Sequence, residues 1–486
     1  MLKFTAADPV GLRLSRPRMV SRPWFLAVMI AVPTLIGIAL FSGGGTIDRE
    51  ATVFVLQYTG DRSVLQKVFD PHANDLGTYQ ARELSYFADF IDANFYRFLY
   101  RTFGFVFLIP LSAVLATVLL SIVFFEGVAR TSRIGRATAV LLFGCFASSF
   151  VFVSTMAVFY RSGKALLSVA LLALLFVIRA VHQRRTPGAQ SEPLLSRAGI
   201  TVGGLAIAAG LLDRQGVFYV AALAGVLGIH YYWTRQLREL VVALVAALIF
   251  LQLYNIIVAP SIVHAVNGYW PDLSYQALPS EHLQRLPIYG ILATTMLAQN
   301  AARFAGGSGW IAVSLMSGIV LGLLVAVVLR APRGQRRRQL ADTLAWQPNR
   351  RVVVYWALGF ALQVFMFALM ITRHPQVYVA LDHRYFYYPL PFMTTLLFGA
   401  VLLSDAVEVS WKVGVQILRA SLIVALVGNI TMLPHHMGVM KRGAWFSEVS
   451  RQTAELRRAL RNPGSDPRLQ TEYARFLRYH KVARTR

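Results

Sequence analysis

Residues 103–125 read FGFVFLIPLSAVLATVLLSIVFF, and the chain continues at 126–136 as EGVARTSRIGR. The first stretch carries no charged side chain and exceeds the roughly 20 residues that an α-helix needs to cross a bilayer's hydrocarbon core. The second carries Arg130, Arg133 and Arg136, the cationic flank that holds a connection on the cytoplasmic side. Apolar run followed by Arg-bearing connection recurs along the chain. The fold class this implies is all-α, a polytopic transmembrane helical bundle.

Composition agrees. Of 486 residues, 56% are hydrophobic and only 15% charged, with a mean hydropathy of +0.53, which excludes an ordinary soluble enzyme of this length. The net charge of +25 would suit nucleic acid or anionic lipid, but the basic clusters lie between apolar runs. They are therefore read as topology signals, with no nucleic-acid partner. Cys145 is the only cysteine and sits inside an apolar run, so disulfides and thiolate metal sites are not available.

Runs long enough to span occur at 23–41, 103–125, 137–160, 165–178, 198–212, 217–233, 240–258, 309–329, 352–372, 389–404 and 413–433, about eleven in all. The first is preceded by Lys3, Arg13, Arg16, Arg18 and Arg22, which places the N-terminus in the cytoplasm. It reads as an uncleaved anchor. The connections 126–136, 179–197, 234–239, 330–351 and 405–412 then fall inside, the first four of them Arg-rich. The stretch 288–304 reads as a re-entrant or surface-lying helix. Residues 1–434 form the transmembrane module, with a first outer loop at 42–101. Residues 435–486 form a basic tail with a short helix that parity places outside, although it carries twelve Lys and Arg against four acids.

The first outer loop holds eight of the 23 acids: Asp48, Glu50, Asp61, Asp70, Asp75, Glu83, Asp89 and Asp92. Such acids also simply keep a loop solvated, yet here aromatic and apolar residues interleave with them. At helical spacing Arg82, Tyr86 and Asp89 share one face, and Leu84, Phe87, Phe90 and Ile91 fall mostly on another. The expectation is an amphipathic helix lying on the membrane with its polar face turned to water. A second polar spot is the turn 211–216, LLDRQG, with Asp213 and Arg214; it is read either as an interfacial salt bridge or as a functional pair below the surface. A third is 373–389, RHPQVYVALDHRYFYYP, where Asp382, His383 and Arg384 adjoin Tyr385, Tyr387 and Tyr388. This fits an interfacial aromatic belt and equally a site that stacks a sugar and grips a phosphate. Residues 264–287 and then Arg303 add further polar groups. By parity all these spots share one side of the membrane. Deep polar residues are few: His230 and Arg419 lie near inner ends, within snorkelling reach of water.

An N-in first span, a long carboxylate-bearing first outer loop, many further spans and an outer terminal segment together resemble the integral membrane glycosyltransferases of the GT-C superfamily. Asp48-Arg49-Glu50 stands where that family carries its acidic pair, and 74–83, NDLGTYQARE, looks like the loop signature of its bacterial members. The resemblance implies transfer of a sugar from a polyprenyl-phosphate donor to a glycan, lipid or protein acceptor at the periplasmic face of the bacterial inner membrane, by inverting displacement. It implies a carboxylate general base, Asp75 first and Asp48 next, with Glu83 and Asp89 as the remaining candidates. Arg82, Arg214, His383 and Arg384 are then expected to stabilise the departing phosphate. Tyr79, Asp213, Asp382 and Arg303 are expected at the substrate, and Tyr385, Tyr387 and Tyr388 along the sugar or prenyl path. The cofactor is open: the family allows a divalent metal, Mg or Mn, but no ligand set in the sequence is specific enough to name. Two other classes stay open, a transporter or flippase for a lipid-linked glycan and a non-enzymatic envelope-assembly scaffold.

Overall fold

The computed structural model describes residues 23–42, 58, 63–69, 81–103, 110–157, 162–184, 196–271, 273, 284–291, 293, 358–359, 361–366, 368–369, 371, 389–410 and 412–442. Among them every regular element is a helix: α1 (Pro23–Ser42), α2 (Val64–Val68), α3 (Glu83–Phe103), α4 (Leu111–Thr131), α5 (Arg136–Ser148), α6 (Phe150–Ala157) and α7 (Ser162–Arg184). There follow α8 (Arg197–Leu212), α9 (Arg214–Thr234), α10 (Arg238–Leu253), a π turn (Tyr254–Val258), α11 (Ala259–Asn267), α12 (Pro389–Ser410) and α13 (Lys412–Arg442).

Among the described residues, five helices are long and apolar enough to cross a membrane: Leu111–Thr131, Ser162–Arg184, Arg214–Thr234, Arg238–Asn267 and Gly414–Pro434. A sixth is counted if α5 and α6, bent 58° at Ser149, act as one broken span. The chain is thus a helical membrane-compatible protein. The runs at 309–329 and most of 352–372 lie outside the described residues, as do the stretch 294–304 and the tail beyond Arg442.

Helix α7 organises the bundle. Its Ala165, Leu172 and Phe176 enter one apolar cluster with α1, α4, α5, α6, α12 and α13. Its Leu167, Ala170, Leu171 and Leu174 enter a second with α8, α9 and α10. A helix that is apolar all round is expected at the centre rather than the rim. The first cluster is rich in phenylalanine, with Phe124 and Phe143 centroids 5.1 Å apart and Phe176 and Phe398 5.3 Å apart, edge-on. The rim is apolar too: Phe25, Met29, Val32 and Ile36 form an exposed stripe along α1, and Val245, Ile249, Leu253 and Ile256 one along α10 and the π turn. Stripes of that kind face lipid.

Two expectations are corrected. The span expected at 103–125 is displaced towards the C-terminus: Phe103 ends α3, and the span itself runs Leu111–Thr131 with Pro110 as its N-cap. Proline cannot donate to the ladder and keeps its predecessor out of helical geometry, so the helix begins just after it. Pro260 acts in a similar way in the Arg238–Asn267 span, where the hydrogen-bond ladder changes register in the π turn that precedes it.

The second correction concerns α3. The amphipathic helix is present, but its polar face is not turned to water. Glu83, Ser85, Tyr86, Asp89 and Asp92 are buried, whereas Leu84, Phe87 and Ile91 are 40–46% exposed. The helix packs against α4, α7 and α8, so its polar side chains find partners inside the protein and its apolar ones face outward. A lipid surround makes this orientation favourable.

Candidate functional site

The site forms where the start of α3, the start of α7 and the α8–α9 turn meet. Asp213 occupies that turn with extended backbone (φ −158°). It closes α8 by donating its N–H to Ala209 O at 3.2 Å, and opens α9 by accepting the Gln215 N–H at 2.9 Å. One residue thus satisfies groups at both helix ends. Its second carboxylate oxygen pairs with Lys164 Nζ at 2.6 Å, the two side chains 11% and 5% exposed.

Gly163 allows α7 to come this close. A Cβ there would stand 2.5 Å from Ser85 Oγ and 2.7 Å from Leu212 O, so any side chain would push α7 away from both α3 and α8.

Arg82 enters from the other side. Its Nε donates to Tyr86 Oη at 3.0 Å, its guanidinium lies 5.2 Å from the Tyr86 ring centre, and its charge acts on Asp213. Burial raises the Asp213 pKa, but Lys164, Arg82 and the hydrogen bonds outweigh burial and hold it below the usual carboxylate range. A carboxylate so held is a poor proton acceptor and a good anchor for cations.

The other carboxylates line α3. Glu83 is hydrogen-bonded with Tyr254, at the π turn. Asp89 accepts from the Ser162 hydroxyl, at the first residue of α7. Asp92 accepts the Ser112 N–H at 2.8 Å and the Ser112 hydroxyl. It thereby caps from outside the helix α4, whose own N-cap is Pro110 and has no side chain to give. Burial pushes the Asp92 carboxyl up to about 6 in spite of these bonds.

Gln215 completes the cluster. It is 2% exposed, and neither its amide nitrogen nor its amide oxygen has a hydrogen-bond partner among the described residues. A primary amide with both ends open is an unusual thing to bury.

Of the residues singled out from sequence, the structure brings the Arg82 charge to bear on Asp213 and buries Glu83 and Asp89 on α3, Glu83 towards Tyr254 and Asp89 towards Ser162, with Arg214 next to Asp213 in the chain. Asp48, Asp75, Tyr79, Arg303, Asp382, His383, Arg384, Tyr385, Tyr387 and Tyr388 lie outside the described residues. Lys164, Ser162, Gln215 and Tyr254 were not singled out. Lys164 did leave a signal: it is a cation immediately before an apolar run, in a connection that the expected topology puts outside, where the positive-inside rule leaves cations scarce. Among the described residues no three His, Cys, Asp or Glu side chains gather as a metal set.

A second ionic cluster sits at the opposite end of α7. Arg179 pairs with Asp405 at 2.6 Å, and Asp405 also accepts the Arg133 N–H at 2.6 Å. Glu408 accepts from Gly135 N and Thr138 Oγ1, both at 2.6 Å, and lies 3.4 Å from Arg419. Arg419 is thus tied to Glu408 and Thr138. These bonds clamp the α4–α5 connection to the ends of α7, α12 and α13, a structural role.

Comparison with family models, with curated proteins and with solved structures finds no match to this chain.

Proposed function

We propose that this chain is a membrane glycosyltransferase of GT-C type with about eleven spans, its N-terminus cytoplasmic and its site on the outer face of a bacterial inner membrane. It moves a sugar from a polyprenyl-phosphate donor to a glycan, lipid or protein acceptor. The observation that supports this reading most is a pair of cations beside the carboxylate-lined α3: the buried Lys164, paired with Asp213, and the half-buried Arg82, whose charge acts on the same carboxylate. A departing phosphate needs positive charge held in a dry site, where each charge counts for more than it does in water. A carboxylate is needed to take the proton of the acceptor hydroxyl. That role goes to the first outer loop, to Asp75 before Asp48, with Glu83 and Asp89 as the buried alternatives. Asp213 keeps the cations in place. The Gln215 side-chain amide offers two N–H donors and a carbonyl acceptor to sugar hydroxyls. Arg214, Arg303, His383 and Arg384 add to the phosphate-binding charge, Tyr79 and Asp382 contact substrate, and Tyr385, Tyr387 and Tyr388 line the sugar or prenyl path.

The test is sugar transfer by the purified full chain in detergent, offered a panel of polyprenyl-phosphate sugars and envelope acceptors. Transfer from one donor, lost in Lys164→Met while the protein stays folded, is the expected result. No turnover across a broad panel, together with movement of lipid-linked glycan in liposomes, favours a flippase instead.

A further inference from the structure

The proposed reaction makes no use of a cavity of about 780 Å³ between α7, α9 and α12. That volume is within the range of about 300–1,000 Å³ usual for small-molecule sites. Its lining changes along its length. Towards the middle of the bundle it is aliphatic, with Leu171 and Leu175 of α7, Val226 of α9 and Leu396 of α12. Tyr219, which lies in the field of Asp213, borders it on the side of the candidate site. At the Arg-rich end it is polar, with the Arg179 guanidinium and the His182 imidazole of α7 and the His230 imidazole of α9.

Arg179 is the informative residue. Its Nη2 is fixed by Asp405 at 2.6 Å and its side chain is only 9% exposed. Its Nη1 is buried without a hydrogen-bond partner among the described residues. Leaving a buried charged donor unmet costs more than a typical hydrogen bond returns. His182 stands one turn further along the same helix, and its ring meets that of His230 edge-on at 5.2 Å. Trp233, an exposed residue that also lines the cavity, is of the type that settles at the membrane–water boundary.

We propose that this cavity binds one anionic phospholipid from the leaflet at the Arg-rich end. Its phosphate lies among Arg179, His182 and His230, with Arg179 Nη1 turning out of its burial to meet it, and one hydrocarbon chain runs between α7, α9 and α12 along Leu175, Leu227 and Leu396. The graded lining selects this occupant. A free phosphate would leave the aliphatic part unfilled, and a neutral hydrocarbon would leave the guanidinium unmet. The Arg-bearing connections at the same end raise the local concentration of acidic lipid. Arg179 lies fifteen residues from Lys164 on α7, about 22 Å along the axis, so the lipid and the phosphate of the transfer reaction occupy separate places.

The experiment is native mass spectrometry of the purified full chain in detergent, titrated with dioleoylphosphatidylglycerol, dioleoylphosphatidylcholine and inorganic phosphate. One phosphatidylglycerol is expected to be retained per chain, at least about tenfold more tightly than phosphatidylcholine, a difference of about 1.4 kcal/mol. Leu396→Trp, which fills the aliphatic part, and His182→Gln, which weakens the head, are each expected to lower retention at unchanged thermal stability. Arg179→Gln is informative if its unfolding temperature shows that loss of the Asp405 pair is tolerated, and His182→Gln carries the test if it is not. Equal retention of the two lipids, or retention unaffected by both Leu396→Trp and His182→Gln, overturns the proposal. Inorganic phosphate that displaces the lipid at equal concentration overturns it too, because the cavity is then an anion site without a chain requirement.

Discussion

Lys164 on α7 and Asp213 between α8 and α9 are paired at 2.6 Å in a place that water hardly reaches. Removing one partner of a buried pair strands the other, at a cost of about 3–5 kcal/mol, whereas replacing both is far milder. Lys164→Met and Asp213→Asn are each expected to lower the apparent unfolding temperature in detergent markedly. The double variant should recover much of the loss, because the introduced asparagine would still accept the Gln215 N–H. Unfolding monitored by intrinsic fluorescence measures this, and additive losses in the double variant would argue against the pair.

Two of the buried carboxyls, Asp213 and Asp92, have opposite pH signatures. Asp213 is held below the ordinary range, so its contribution is present above about pH 4 and is lost as pH falls through its lowered value. Asp92 is raised from 3.8 to about 6, so folding takes up a proton between those values and stability declines as pH rises through that window. Above it the penalty is complete, on the order of 3 kcal/mol. Asp92→Asn, which can still accept the Ser112 N–H, is expected to stabilise the protein at pH 7.5 and to lose that advantage by pH 4. Unfolding temperatures across that range are the check.

Helix α3 has its apolar face outward. Cys145 is the only cysteine and is buried, so a single introduced thiol reports without background. Phe87→Cys is expected to react with an uncharged membrane-permeant maleimide and to resist a charged thiosulfonate. On a helix lying polar side up, Tyr86→Cys rather than Phe87→Cys would be the readily labelled position.

Gly163 sets the approach of α7 to α3 and α8. Gly163→Val is expected to destabilise by about 1–3 kcal/mol, the usual cost of overpacking, and to weaken sugar transfer by displacing Lys164. Gly204→Ala, where nothing lies within 4 Å of the added methyl, should be neutral or gain up to about 1 kcal/mol. Thermal unfolding of the two variants side by side separates a steric role from helix propensity.

The membrane class was legible because runs such as 111–131 leave no other solvent for their side chains. Their ends were less so: an apolar count does not register that Pro110 starts a helix, and it merged the end of α3 with α4. The periodicity of 82–92 correctly paired Arg82, Tyr86 and Asp89 on one face. It could not say which face looks inward, since amphipathicity has the same period whether water or protein receives the polar side. Lys164 was hidden for a related reason, standing at the edge of an apolar run while its partner Asp213 lies 49 residues away. Such pairs are set by tertiary packing and leave no local pattern.

Sugar transfer by a loop carboxylate is decided by the single-turnover rate from a polyprenyl-phosphate donor, in wild type and in Asp75→Asn, Asp48→Asn, Glu83→Gln and Asp89→Asn, each checked for folding. Loss of a general base costs about 10²–10⁴-fold, so one folded variant should fall by that factor while the donor still binds. Wild-type rates in all four, or no donor turnover by the wild type, would contradict the account.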